Sequence, residues 1–130
     1  MCRFEQLNHL AEQVDLALGT KVEIATEHLF HAGMYARTIR LQAGVVLTGA
    51  LMKIETILIF NGMADVWTGH GWERIGGYQV LAGSAMRKQV FVTRSAVEMT
   101  MVFPTAATTV DEAEREFTDE FERLMSRKAA

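Results

Sequence analysis

The most informative stretch of this 130-residue chain reads Glu55-Thr-Ile-Leu-Ile-Phe-Asn-Gly-Met-Ala-Asp-Val-Trp67. Apolar and β-branched residues stand on both sides of Asn61-Gly62. An Asn-Gly pair between two such runs is the strongest short signal for a β-hairpin. The stretch therefore predicts a strand, a tight turn at Asn61-Gly62 and a second strand.

The surrounding segment, about residues 21–105, contains every glycine of the chain except Gly19. These glycines separate short runs rich in Val, Ile, Thr, Tyr, Phe and Trp, which is typical of many short strands. No helix-length amphipathic segment interrupts them, whereas a parallel sheet would need helical crossovers. The pattern predicts an all-β fold.

A helix is predicted at each end of this β region. Residues 1–19 carry apolar side chains at three-four spacing up to Gly19, which is typical of a helix C-terminus. Residues 109–128 begin with a T-x-x-E capping box at Thr109 and Glu112. The apolar stripe of this second helix includes Phe117, Phe121 and Leu124.

Composition restricts the class of protein. The length fits one domain, residues 1–130, and 49% apolar with 22% charged residues is typical of a soluble globular protein. No apolar run reaches the roughly 18 residues of a membrane span. A net charge of -3 with scattered basic residues offers no continuous positive surface to a polyanion such as nucleic acid. We therefore expect neither nucleic acid nor a membrane as a partner. A single cysteine, Cys2, and no secretory signal predict a cytoplasmic location.

Two stretches resemble the cupin superfamily. Glu55 to Gly62 matches the first cupin motif, in which six residues separate a glutamate from a glycine and another strand follows. Residues 80–86, Val-Leu-Ala-Gly-Ser-Ala-Met, resemble the second motif, with Leu81 in place of its proline. Residues 31–37 and 102–105 are similar to short cupin-type proteins of tailed phages and prophages. The resemblance implies a small double-stranded β-helix, a jelly-roll-like barrel, with peripheral N- and C-terminal helices.

The chain departs from that family at the metal site. Active cupins usually hold a divalent metal with three imidazoles and one carboxylate. The histidine positions fall here at about Met52, Thr56 and Met86, or at Phe103 in the phage-like variant, and none is histidine. We therefore expect no metal, no cofactor and no catalytic residue.

An enzymatic alternative remains open. Glu55 could be joined by either His28 or His31. Only one of the two histidines could contribute, because they are an odd number of positions apart and so face opposite sides of a regular strand. Such a site would make the chain a metal-dependent cupin isomerase, lyase or dioxygenase that acts on a small carbohydrate or keto acid.

Inward-facing residues define a candidate pocket. Strand alternation places Tyr35 and Arg37 on one largely apolar face, where the guanidinium needs a carboxylate partner or an anionic ligand. Met52 and Met86 are expected to face inward and fill the space that a metal once occupied. The complete candidate pocket is Tyr35, Arg37, Met52, Glu55, Met86 and Phe103.

The emptied metal site favours a non-catalytic binding or assembly protein, such as a phage-derived structural, decoration or regulatory module. We expect a homo-oligomer, most simply a dimer, or assembly with other viral proteins, and a small-molecule ligand is a further possibility. Contacts are expected at an edge strand or at a terminal helix, with Phe117, Phe121 and Leu124 as interface candidates. A phage origin would place the protein in the virion instead of the cytoplasm.

Overall fold

The structure is a computed structural model that describes residues 24–120. This range forms antiparallel strands followed by one helix. The strands are β1 (Ala25–His31), β2 (Met34–Leu41), β3 (Val46–Thr48), β4 (Thr56–Trp67), β5 (Trp72–Gly83), β6 (Val90–Thr93) and β7 (Val97–Pro104). The helix, α1, spans Val110–Phe117. No helix in this range is long and apolar enough to cross a membrane.

One curled sheet contains all of these strands, in the order β1-β2-β7-β4-β6-β3, with β5 paired to the other edge of β4. Every pairing is antiparallel. The prediction of an all-β, small cupin-like barrel is confirmed, and the strands fall within the predicted barrel range of residues 21–105. The predicted helix at 1–19 lies outside the described residues.

The prediction of a turn at Asn61-Gly62 is wrong. β4 runs without interruption from Thr56 to Trp67 and pairs with β5 over its whole length, from Thr56 opposite Gly83 to Trp67 opposite Trp72. The hairpin turn lies instead at residues 68–71, where Gly69 and Gly71 have positive φ. The Asn-Gly pair is only a local signal for a turn. Here its glycine adopts a positive φ that is needed inside the strand.

Gly62 is the point at which β4 changes its partner. Residues 57–61 pair with β7, and residues 64–67 pair with β6. Gly62 has φ +135, and a Cβ there would lie 2.6 Å from the Ala96 carbonyl oxygen. The Arg94 N–H donates to the Met63 carbonyl oxygen (2.8 Å), which holds the β6–β7 connection against this corner. Only glycine fits both the backbone angle and the close approach.

Asp65 fastens the same corner from the outside. Its carboxylate accepts hydrogen bonds from Arg74 on β5 (2.8 Å) and from Arg94 in the β6–β7 connection (2.8 Å). Hydrogen bonds from these two arginines lower the pKa of Asp65 to about 2. Because an unfolded aspartate has a pKa near 3.9, the stabilisation from this carboxylate is present above about pH 4 and is lost as pH falls from there through the folded-state value.

The core inside the curl has two parts. The first packs β2, β4, β6 and β7 around Phe60 and Val97, and the second packs the start of β2 and the end of β7 against α1. On β2 the buried side chains are Tyr35, Arg37 and Leu41, so the predicted face of that strand is confirmed. Tyr35, Phe103 and Phe117 are almost completely buried in the second part.

The helix α1 begins as predicted and ends earlier. Thr109 caps it, because its hydroxyl accepts the Glu112 N–H (3.2 Å). The predicted extent to residue 128 is wrong within the described residues, since Thr118 is already extended at φ -154. The Phe117 carbonyl oxygen accepts the Lys53 N–H (2.7 Å). Its bond to the β3–β4 connection takes the place of a further helical hydrogen bond, so docking on the barrel ends the helix.

We expect Gly62→Ala to lower the free energy of unfolding by about 3 kcal/mol or more, because the added methyl meets a carbonyl oxygen at an unfavourable φ. Gly76→Ala is the matched control on the adjacent strand, since its Cβ would meet nothing closer than 3.7 Å. That control is expected to stay within about 1 kcal/mol of the parent. Urea unfolding measures both, and equal effects would contradict the role of Gly62 as a corner.

Candidate ligand-binding site

A cavity of about 150 Å³ lies inside the curl of the sheet. Most of the side chains around it are aliphatic, aromatic or thioether groups, and two are arginines. From the described range 24–120, the lining residues are Ile24, Thr26, Arg37, Ile39, Leu47, Thr48, Gly49, Ala50, Met52, Leu58, Arg87, Gln89, Phe91, Met99, Met101 and Phe117.

A buried ion pair forms one end of the cavity. Arg37 projects from the inner face of β2, and its Nη1 donates to Oε2 of Glu114 on α1 (3.1 Å). The exposed fraction is 9% for the Arg37 side chain and 0% for that of Glu114. The guanidinium also lies 5.9 Å from the centre of the Phe117 ring. A charge that is this deeply buried requires such a partner, so the pair fixes α1 on the barrel.

His28 and Tyr35 extend this polar group toward β1. A hydrogen bond of 2.7 Å joins His28 Nδ1 to the Tyr35 hydroxyl. Burial, and next the charge of Arg37, lowers the pKa of His28, while burial raises the pKa of Tyr35. Both shifts favour the uncharged forms of the two groups. Both groups are held in the wall of the barrel.

Arg87 lies at the other side of the cavity, in the connection between β5 and β6. It donates to the Thr56 hydroxyl (2.6 Å) and to the carbonyl oxygens of Ser84 (2.8 Å) and Ile54 (3.3 Å). Burial lowers the pKa of this guanidinium. The backbone of Arg87 is itself fixed, since it exchanges two hydrogen bonds with Met52 (2.8 and 3.1 Å).

Comparison with solved structures identifies the architecture. A cupin superfamily protein from Desulfitobacterium hafniense superposes with a TM-score of 0.54 at 11% identity, over 66% of this chain and 81% of the other. The chain has the cupin fold. Ectoine synthase from P. lautus gives a TM-score of 0.56 at 17% identity over 75% of each chain. A cupin 2 conserved barrel domain protein from Salinispora arenicola gives 0.50 at 19% identity, over 71% and 84%.

No protein-family model matches the sequence, and no curated protein matches it. Identities this low establish the cupin fold alone.

The cupin barrel brings together four of the six predicted pocket residues. Arg37 and Met52 line the cavity. Tyr35 and Phe103 lie just behind it in the second part of the core, with ring centres 5.5 Å apart. The expectation that Arg37 pairs with a carboxylate is met, and the partner is Glu114 on α1.

Two predicted pocket residues lie elsewhere. Glu55 is exposed and lies in the connection between β3 and β4, directly before β4 begins. Met86 is 46% exposed with φ +56, because it sits in the tight connection between β5 and β6 and points away from the interior. The prediction that Met86 fills the barrel is therefore wrong, while Met99 and Met101 do line the cavity.

The helical interface candidates are also revised. Phe117 is 1% exposed, because it packs against Phe103 of its own barrel with ring centres 5.9 Å apart, so its proposed place in a subunit interface is wrong. Phe121 and Leu124 lie outside the described residues. The prediction for these two residues therefore stays a prediction.

Two site residues, Glu114 and Arg87, were not found from the sequence. Glu114 carries a recognisable signal, since it lies three residues before Phe117 and four after Val110 and so falls on the apolar stripe of α1. Arg87 has no such signal, because its connection has no periodicity. Its place beside the cavity follows from the paths of β4 and β5.

The side chains at the cavity do not fit the metal of active cupins. A divalent cation prefers imidazole and carboxylate ligands, whereas this cavity presents thioethers, aliphatic groups and two positive guanidinium groups. His31 is exposed and His28 is held by Tyr35. In residues 24–120, no three or more His, Cys, Asp or Glu side chains group to hold a metal ion.

We expect Glu114→Leu to lower the free energy of unfolding by about 3–5 kcal/mol, because it leaves the Arg37 guanidinium buried without its carboxylate. The double variant Arg37→Met with Glu114→Leu should recover most of this loss. Glu116→Leu, an exposed position on the same helix, is the control and should change stability by less than about 1 kcal/mol. Urea unfolding of these proteins and of the single variant Arg37→Met gives the coupling energy of the pair. Strictly additive effects of the two single changes would contradict the pair.

Proposed function

We propose that this chain is a non-catalytic binding and assembly protein, whose cupin barrel holds a small apolar molecule. The observation that carries the proposal is the chemistry of the cavity. Its wall consists mainly of aliphatic, aromatic and thioether side chains. Such a surface favours the transfer of an apolar molecule from water.

The size of the cavity supports a ligand of about six to ten heavy atoms. Apolar cavities of about 150 Å³ lined by Leu, Ile and Phe stay dry and bind benzene. Here the cavity has that volume, and Met52, Met99 and Met101 form part of its wall. Methionine is unbranched and polarisable, so these side chains can adapt to a range of ligand shapes.

The polar groups of the cavity favour binding over proton transfer. A general acid or base works best with a pKa near the working pH and within hydrogen-bond reach of the ligand. Among the described residues, the ionisable groups on the cavity wall are two guanidinium groups, which stay protonated in proteins. The imidazole of His28 is engaged by Tyr35 behind the wall.

A neutral aromatic probe tests the binding role. Benzyl alcohol should shift the methyl resonances of Met99 and Met101 in a saturable NMR titration, because both side chains line the cavity. Leu47→Phe, which places a larger side chain at the cavity wall, should weaken this binding at least tenfold. Val80→Phe is the control on the 59% exposed outer surface and should leave it unchanged. No saturable shift in the parent would contradict the proposal.

The assembly role rests on the outer surface of the β4–β5 hairpin. Five large apolar side chains are exposed there on one face, although hydrophobic residues on a soluble monomer are usually scattered. This hairpin face consists of Ile57, Met63, Trp72, Tyr78 and Val80, which are between 41% and 67% exposed. Cross-strand register confirms the shared face, since Ile57 stands opposite Ala82 and Trp67 opposite Trp72.

A second copy of the chain is the partner that this surface fits best. Within the described residues β5 pairs with β4 alone, so its other edge offers unpaired backbone groups beside the apolar side chains. Two-fold packing would cover the edge and the hairpin face of both copies in one isologous contact. We therefore propose that the protein is a homodimer.

Analytical ultracentrifugation at micromolar concentration tests this assembly. We expect a dimer for the parent chain and a monomer for Val80→Lys, because a buried lysine opposes association of the apolar surfaces. Met86→Lys is the control, since Met86 is 46% exposed but lies off the hairpin face. A monomeric parent at every concentration would contradict the homodimer, and dissociation by Met86→Lys alone would place the contact elsewhere.

The biological setting that we propose is assembly with other proteins, including viral ones. It is supported by the likeness of residues 31–37 and 102–105 to short cupin-type proteins of tailed phages. A structural or regulatory module of this kind needs a stable barrel and a contact surface. The hairpin face supplies the second of these.

A further inference from the structure

The two arginines of the cavity are in different electrostatic states. Arg37 is matched by the Glu114 carboxylate. Arg87 contacts neutral acceptors, namely the Thr56 hydroxyl and two backbone carbonyl oxygens. Among residues 24–120, no carboxylate forms an ion pair with Arg87. Arg87 lines the cavity, and within the described residues its positive charge is not matched by a carboxylate.

The Arg87 guanidinium still has donors to offer. Of its five N–H groups, both on Nη1 donate to carbonyl oxygens and one on Nη2 donates to Thr56. The Nε–H and the second Nη2 N–H have no acceptor in the described part of the chain. A guanidinium with N–H donors still to offer can form a charge-assisted hydrogen bond to a carboxylate.

The backbone around Arg87 holds the guanidinium in place. A Cβ at Gly83 would lie 2.7 Å from Cζ of Arg87 and 2.8 Å from each of its Nη atoms. The guanidinium thus lies directly against the bare backbone of β5, in a space that exists because residue 83 has no side chain. The position of the charge is fixed before any ligand arrives, which reduces the entropic cost of binding.

We infer that the ligand of this cavity is a small monocarboxylate with an apolar body, whose carboxylate pairs with Arg87. The inference rests on the proposed binding function and specifies its ligand class. The apolar part would lie against Leu58, Met99 and Met101, which line the same cavity. A cavity of about 150 Å³ has room for an apolar part about the size of a benzene ring, as in benzoate.

Isothermal titration with benzoate and with benzyl alcohol, its neutral analogue of similar size, tests the inference. The parent chain should bind benzoate at least tenfold more tightly than benzyl alcohol. Arg87→Met should weaken benzoate binding at least tenfold and leave benzyl alcohol binding unchanged. Arg40→Met is the control, since Arg40 pairs with Glu27 and Glu98 on the outer side of the sheet, and it should change neither.

A second variant keeps the test independent of the Arg87 side chain. Gly83→Ala retains the charge but displaces the guanidinium, so benzoate should lose its advantage over benzyl alcohol while circular dichroism shows a folded protein. Equal affinities of the parent for the two probes would overturn the carboxylate inference and leave the binding function standing. Binding of neither probe by the folded parent would overturn both.

Discussion

The bare backbone at Gly62 is the constraint on which the barrel depends. There β4 leaves β7 and takes up β6, while the β6–β7 connection passes so close that a Cβ would touch the Ala96 carbonyl oxygen. A strand that continues through such a corner belongs to two parts of the sheet at once. The curl that results encloses the space in which the cavity lies.

The sequence was sufficient for the fold class and insufficient for the paths between strands. Periodicity and glycine spacing predicted an all-β barrel, the inner face of β2 and the cap at Thr109, since each follows from contacts along one segment. Asn61-Gly62 was misassigned because the same residue pair serves a hairpin or a corner, and only the partner strands distinguish them. Met86 and Glu55 were misplaced for a similar reason, since both lie in connections that have no alternation.

The candidate site contains one residue that its position in the sequence could identify and one that it could not. Glu114 could have been found, because a carboxylate on an apolar stripe implies a buried cation nearby. Arg87 could not, because its relation to Gly83 and Thr56 arises only when β4 and β5 pair. The two arginines also have different physical consequences. The charge of Arg37 is balanced by the Glu114 carboxylate. The charge of Arg87 is the one that we infer to bind a ligand.

The ion pair between Arg37 and Glu114 has a consequence for biosynthesis. The two residues are 77 positions apart, so the ribosome makes the arginine well before its partner. At a usual rate of about 5–20 residues per second, the nascent chain carries Arg37 without Glu114 for some seconds. β7 lies between β2 and β4 in the sheet and ends at Pro104, shortly before α1 begins. The centre of the sheet and the ion pair therefore both wait for the C-terminal part of the described chain to be made.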